Sequence, residues 1–480
     1  MTRGRVAWAA FAALAGALAA ITISRWLWAL TLDGPVLYGE GAVAHAALLA
    51  RDRVEYYVGA AVDGGPLRPI FTAANYPPLY FHVAGLGDPF VAGRIASIAA
   101  TLLVATTIAW RARRAGPLVA IALAAAWIAS FPVAVWGPAI KPDLVALALT
   151  VGGVLALASA PRRAVLGGVL LALAVATKPT AALPALALAG WLVRADRAAF
   201  ARYLAGGLVG AVAALVAFPE LGPFKLVVLH VVTWNGLPWS AEQALALLLV
   251  GVLTLGVPIG VAALARAPRG PIAAYAIGAL GIVALGGREG ATINYLLDLS
   301  AAAALALAGV ATRLRASSVF PLAAAAQLVV GIALFDPFGT ADLFRPLPSA
   351  EQLGKRAPTT GAWGDPARIA VVRRLPAGAA LVEDSGLLLA VGREPVVDDV
   401  FLWSRLLATG ISFAEGDLVI RSVADARYSS IVSEADLERL DDAPAYERQR
   451  WHPRLVAAIL ERYRLDRVDA GLRVYVPKNR

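Results

Sequence analysis

Ionisable residues are scarce in this chain, so the few that flank its long apolar runs carry weight. Glu40 stands between two glycines in Leu-Tyr-Gly-Glu-Gly-Ala-Val (37–43). Lys141 and Asp143 open an apolar run in "AIKPDLVALAL", and Lys178 closes the next in "ATKPTAAL". Arg288 and Glu289 precede a third in "GGREGATINYLLDL", with Asp298 one turn inside it. A carboxylate in such a layer can accept a proton from a hydroxyl nucleophile. Lys and Arg can hold a phosphate whose charge grows as it leaves. Together these residue types suit group transfer from a lipid-linked phosphate donor to a hydroxyl acceptor. Each also has a simpler reading. Lys141 and Lys178 suit snorkelling at a membrane interface. Asp143 suits the first turn of a helix, where the dipole favours a carboxylate. Glu40 suits a solvated loop, and Asp298 suits a pair with a neighbouring helix.

The elements that must position these groups follow from composition. The chain has 480 residues, 59% hydrophobic and 16% charged, with mean hydropathy +0.69. A soluble domain carries about 25% charged residues, so the larger part of this chain reads as a polytopic, α-helical membrane protein. Apolar stretches long enough, or nearly so, to span a bilayer fall at 6–30, 91–110, 117–136, 143–159, 164–181, 182–193, 203–219, 244–265, 272–286, 295–311 and 319–335. That predicts about 11 transmembrane helices. The segments placed inside when the N-terminus is cytoplasmic are Arg3/Arg5, "RARRAG", "PRR", "RADRAAFAR", "RAPR" and "RLR". They hold about 14 basic residues and one acidic one, Asp196, which fixes this orientation by the positive-inside rule. The net charge of +10 is therefore a topology signal and not a nucleic-acid surface. The first stretch, about 25 residues with Trp26 and Trp28 at its outer end, reads as an anchor rather than a cleaved signal peptide.

The chain has no cysteine, which excludes disulfides, thiolate chemistry and cysteine-based zinc sites. His45, His82, His230 and His452 are too scattered for a metal motif. The first external loop, 31–90, is long. In it "GAVAHAALLARDRVEYYV" reads as a helix lying along the membrane, followed by "ANYPPLYFHVAGL" with Asn75 and Tyr76. A loop of that length points to function. The loop 220–243 is apolar and aromatic, carries Lys225 and His230, and suits guiding a lipid. From 336 onward charge becomes dense and balanced. "ARIAVVRRL" and "AALVEDS" read as strands, "DLERLDDA" and "HPRLVAAILERYRL" as helices, and "FDPFGTADLFRPLPS" as a linker. Residues 336–480 thus form an extracytoplasmic α/β domain behind a membrane domain of residues 1–335. The acids of "VEDS" (382–385) and "VVDDVF" (396–401) read as ordinary strand-end or loop residues ahead of ligands, with the tail as an acceptor-recognition module the open alternative.

The order of these motifs carries a resemblance. The long first loop, "YGEG", "NYPPLY", "GRIAS" (93–97), "KPD", "TKP" and "NYLLDL" resemble bacterial GT-C-fold glycosyltransferases, among them protein O-mannosyltransferases and lipid A aminoarabinose transferases. The resemblance covers essentially the whole chain by motif order, with the tail matched by general layout. It implies a polyprenyl-phosphate sugar donor, inverting transfer and an active site outside the cytoplasm. The catalytic carboxylate of such families lies in the first external loop, in an Asp-Glu pair, and that position reads Gly39-Glu40 here. Only the second acid is matched, so the resemblance implies Glu40 or Asp143 as the base. Lys141, Lys178 and Arg288 are the cations for the donor phosphate, since the lysine that lipid A relatives place before Pro-Pro is Tyr76 here. Asn75, Tyr76, His230, Asn294 and Tyr295 complete the expected pocket. The resemblance fixes no cofactor and leaves a divalent cation open, to be held by Glu40 and Asp143.

The expectation is therefore an integral-membrane glycosyltransferase of a bacterial cytoplasmic membrane. Its partners are a polyprenyl-phosphate-linked sugar, the bilayer and an acceptor that is protein, lipid or polysaccharide. The alternative from another class is a transporter or lipid flippase, which would show broken helices and midplane polar groups where this chain has Ala/Leu/Val/Gly. A scaffold in which eleven helices merely anchor the tail is the third reading.

Overall fold

The computed structural model describes residues 3–58, 71–264, 270–335, 366–410, 415–443 and 445–478. The expected linker at 335–349 and the "RAPR" segment lie almost wholly outside them. The chain begins with α1 (Arg3–Ala29), and the segment after it holds α2 (Glu40–Arg51) and α3 (Leu79–Ala84). Next come α4 (Pro89–Ala112), α5 (Pro117–Ile128), α6 (Phe131–Trp136), α7 (Asp143–Ser159), α8 (Ala164–Val175), α9 (Ala182–Ala195) and α10 (Arg197–Ala217). A short α11 (Phe224–Val228) runs into a π-helical turn, Leu229–Thr233. The helical part ends with α12 (Ala241–Leu264), α13 (Pro271–Ala284), α14 (Leu297–Leu314) and α15 (Val319–Phe335).

Each of the eleven expected apolar stretches holds a helix. Among the described residues five helical stretches are long and apolar enough to cross a membrane: Arg3–Ala29, Pro89–Ala115, Arg197–Ala217, Ala241–Leu264 and Ile293–Leu314. The others are shorter. The chain is a multi-pass membrane protein. The stretch 117–136 is broken into α5 and α6, with Pro132 in the first turn of α6, where a missing N–H costs nothing. Helix starts follow capping rules: Asp88 accepts the Val91 N–H ahead of Pro89, and Asp196 accepts the Ala199 N–H. Pro258 sits inside α12. There the Gln327 amide of α15 bridges the loosened turn, accepting from Val257 N at 2.9 Å and donating to Leu253 O at 3.2 Å, so the backbone stays satisfied in an apolar setting.

The C-terminal part is a four-stranded mixed sheet with helices. Its elements are α16 (Pro366–Arg373), β1 (Ala380–Val382), α17 (Gly386–Leu389), α18 (Val400–Ala408), α19 (Glu415–Ala424), β2 (Ser430–Ser433), α20 (Ala445–Arg448), α21 (Pro453–Arg462), β3 (Tyr463–Asp469) and β4 (Leu472–Pro477). The strand order is β1-β2-β4-β3, with β1 parallel to β2 and the other pairs antiparallel. "ARIAVVRRL" is a helix, α16, and not a strand. Pro366 starts it, and Ile369, Val372 and Leu375 are buried at a spacing of three, a helical period that a short apolar run hides. "DLERLDDA" forms a 3₁₀ turn, Leu437–Asp442.

The two parts are docked over α2. Phe71 pairs with Val397 in a parallel bridge. Asp398 accepts the Ala73 N–H at 2.8 Å and meets His45 Nδ1 at 3.1 Å. Arg405 grips Glu289 with two bonds of 2.7 and 2.9 Å. α2 is shorter than expected and is buried along nearly its whole length, residues 40–47 included. Its alanines and glycines let α3, α4 and α17 close around it.

Candidate active site

Glu40 is the first residue of α2 and is fully buried. Its Oε2 accepts the Val36 N–H at 2.8 Å and its Oε1 the Ile140 N–H at 3.0 Å. Arg94, equally buried, stands 3.7 Å away and donates to the carbonyls of Ala29 and Leu32. Ser97, also of "GRIAS", donates to Ala139 O at 2.7 Å. These groups fasten the chain after α1 to the 137–142 turn that presents Lys141 and Asp143.

Asp143, in the first turn of α7, is buried. Its Oδ1 accepts from Lys178 Nζ at 2.5 Å and from Asn294 Nδ2 at 2.7 Å. Its Oδ2 is buried without a hydrogen-bond partner among the described residues. The Lys178 ammonium lies 5.1 Å from the Tyr295 ring centre, and Arg288 donates to the Tyr295 hydroxyl at 2.6 Å. Tyr76 faces Asp143, Tyr295, Arg288 and Asp399. Lys141 donates to Gly39 O at 2.6 Å and faces Asp399, Glu40, Asp143 and Asp384.

The structure therefore brings together Asp143, Lys178, Asn294, Tyr295, Arg288, Tyr76 and Lys141, contributed by helix starts and turns at one end of the helical part. Glu40 lies beneath them, behind Lys141. Asn75 borders the group, its carbonyl accepting from Asn235 Nδ2 at 2.9 Å. His230 stands apart. It is buried against Trp234 and Tyr57 and donates to Val58 O at 2.8 Å. Asp298 accepts from the Tyr275 hydroxyl at 3.0 Å.

Glu40 and Asp143 each have partners within the protein. The Glu40 oxygens are taken by backbone N–H groups, and Asp143 already holds an ammonium. Among the described residues no group of three or more His, Asp or Glu side chains is placed to hold a metal ion.

The C-terminal part also brings in acids whose sequence reading favoured ordinary strand-end or loop roles. Tyr38 accepts the Phe401 N–H at 3.1 Å and carries the Arg450 guanidinium 4.0 Å over its ring. Asp399 is half-buried near Tyr38, and Asp384, also half-buried, faces Lys141. Their only sequence signal is their position in "VEDS" and "VVDDVF".

This arrangement of helices is shared with solved structures. ArnT of Cupriavidus metallidurans, a lipid A aminoarabinose transferase, in the apo state matches with a TM-score of 0.60 at 14% identity, covering 96% of each chain. The chain has the GT-C fold. The same ArnT bound to undecaprenyl phosphate matches at 0.56 and 16% identity, covering 96% of this chain and 97% of that one. The apo oligosaccharyltransferase of Archaeoglobus fulgidus has 11% identity and a TM-score of 0.47, covering 90% of this chain and 70% of its own. No family model and no curated protein matches the chain. In this GT-C chain the charged cluster sits where the helical part meets the C-terminal part.

Proposed function

We propose that this chain is a membrane glycosyltransferase. It transfers a hexosyl or pentosyl group, with inversion, from a polyprenyl-phosphate donor to a hydroxyl acceptor at the extracytoplasmic face of a bacterial cytoplasmic membrane. The observation that carries the reading is the cluster Asp143–Lys178–Asn294 with Arg288–Tyr295, built at one end of a GT-C helical part. The fold neighbour solved with undecaprenyl phosphate supports a donor of that class.

Lys178 has three N–H donors and Arg288 five, more than Asp143 and Tyr295 use. The remainder, with Lys141, meet the donor phosphate and stabilise the charge that grows as it leaves. Asp143 fixes Lys178 and Asn294 in place. Glu40 acts as a positioning residue, since its carboxylate holds the backbone that presents Lys141. Tyr76 and Asn75 shape the space between them.

Ionised groups at helix ends favour an interfacial enzyme over a transporter, whose polar groups gather at interrupted helices near the midplane. The test is to delete the gene and compare envelope glycans, glycolipids and glycoproteins by mass spectrometry. The reading expects one sugar to vanish from one acceptor class. An unchanged envelope with altered solute uptake contradicts it.

A further inference from the structure

The acid pair at the head of α2 has one member here, and that carboxylate is enclosed. The place beside it is nonetheless charged. Gly39 turns with φ of 76°, and a Cβ on it would stand 3.1 Å from Lys141 Nζ. Two loops of the C-terminal part lie over the same turn. Gly41 touches Ser385 and Gly386 so closely that a Cβ there would collide with the Gly386 backbone. The Tyr38 hydroxyl ties down the loop that carries Asp399 through Phe401 N. The missing side chain at Gly41 thus lets the 385–386 turn of the C-terminal part approach, and that at Gly39 leaves room for the Lys141 ammonium.

We propose, on the glycosyltransferase reading above, that Asp399 takes the proton of the acceptor hydroxyl, brought to the site by the docked C-terminal part in place of an acid at position 39. One Asp399 oxygen caps α18, accepting Leu402 N–H at 2.9 Å. No hydrogen bond engages the other among the described residues, and the side chain is half-buried. Asp399 faces Lys141 and Tyr38 and, across Tyr76, the Asp143–Arg288–Tyr295 group. Burial pushes its carboxyl up to about 6, with Asp398 adding to this and the Leu402 N–H, Lys141 and Arg450 opposing it, a value suited to a base near neutral pH. The other acids are worse placed. Asp398 is locked by His45 and Ala73. Asp384 closes its own turn on Gly386 N and faces Glu434, Glu40 and Arg450.

In the step, the acceptor oxygen forms the new bond to the anomeric carbon while its proton passes to Asp399. The bond from that carbon to the phosphate oxygen breaks, and its electron pair leaves on the polyprenyl phosphate held by Lys178 and Arg288.

The test uses the full-length protein in proteoliposomes. The donors are a panel of undecaprenyl-phosphate hexoses and pentoses, and the acceptor source is envelope membranes from a strain lacking the gene. Asp399→Asn keeps an oxygen for the Leu402 N–H, and Asn caps as well as Asp. The expected result is a fall in turnover of about 10²–10⁴-fold. Undecaprenyl phosphate binding stays unchanged, and the rise in wild-type rate through about pH 6 disappears in the variant. Asp384→Asn keeps that pH limb. Wild-type turnover and pH profile in Asp399→Asn, in membranes where the wild type transfers sugar, overturn the assignment and leave the glycosyltransferase reading standing. A wild type that transfers from no donor overturns that reading and this proposal with it.

Discussion

Lys178 donates to Asp143 Oδ1 at 2.5 Å, a buried ion pair between a turn and a helix start 35 residues apart. Breaking such a pair by removing one partner leaves an uncompensated buried charge and costs about 3–5 kcal/mol. Asp143→Ala is therefore expected to lower the melting temperature in detergent sharply. Asp143→Asn keeps an acceptor for Lys178 and is expected to fold with a smaller loss. Its transfer rate nevertheless falls at least a hundredfold (roughly 2.7 kcal/mol), because the cation is no longer oriented by a charge. Equal rates in wild type and Asp143→Asn would remove Asp143 from the site.

Glu40 gives the opposite pattern. Its carboxylate holds Val36, Ile140 and Arg94, so Glu40→Gln costs stability, about 1–3 kcal/mol for the bonds lost. The rate of the folded fraction stays within tenfold. Melting curves and initial rates on the same preparation separate the two effects. An unchanged melting temperature with a thousandfold slower transfer would make Glu40 the proton acceptor and not a positioning residue.

Gly41→Ala probes the docking of the C-terminal part. The added Cβ meets the Gly386 backbone, and backbone cannot move aside as a flexible side chain can. Limited proteolysis and amide exchange are expected to show α17 and α18 loosened while the helical part keeps its protection. Unchanged protection of residues 383–401 counts against this close approach.

Asp384 sets a pH dependence. Burial, Glu434 and Glu40 push its carboxyl up to about 7, against the Gly386 N–H and Arg450. A carboxylate whose folded-state pKa is raised binds more protons folded than unfolded. Stability therefore falls as pH rises from the ordinary carboxylate range toward about 7. The docked state is expected to melt higher at pH 5 than at pH 8, and Asp384→Asn to flatten that slope. A slope that persists in Asp384→Asn assigns it to Asp399 or Asp398, whose carboxyls burial also pushes up.

Much of this layer of charge was legible in the sequence. Lys141, Asp143, Lys178 and Arg288 were conspicuous because ionised groups at the ends of apolar runs are costly, and the structure gathers them. Asn294 and Tyr295 followed from "NYLLDL", one of the motifs that carry the resemblance. The enclosure of Glu40 was not legible, since it depends on Arg94 reaching back to carbonyls about 60 residues earlier. His230 looked like a pocket residue because it is polar in an apolar loop, yet it is buried with its ring tilted against Trp234 of the same loop. Asp384 and Asp399 read as ordinary acids because docking of the C-terminal part leaves no periodic trace in the chain. "ARIAVVRRL" misled because four apolar residues in a short run fit a strand as well as a helix.

The most direct measurement is sugar transfer by the purified full-length protein in lipid. It is supplied with single undecaprenyl-phosphate-linked sugars and envelope acceptors, and products are followed by mass spectrometry. The account predicts one donor consumed, undecaprenyl phosphate released in equal amount, and the sugar found on an acceptor with its anomeric configuration inverted. Intact donors across the panel, with acceptors unchanged and a solute or lipid moved across the bilayer instead, would contradict it.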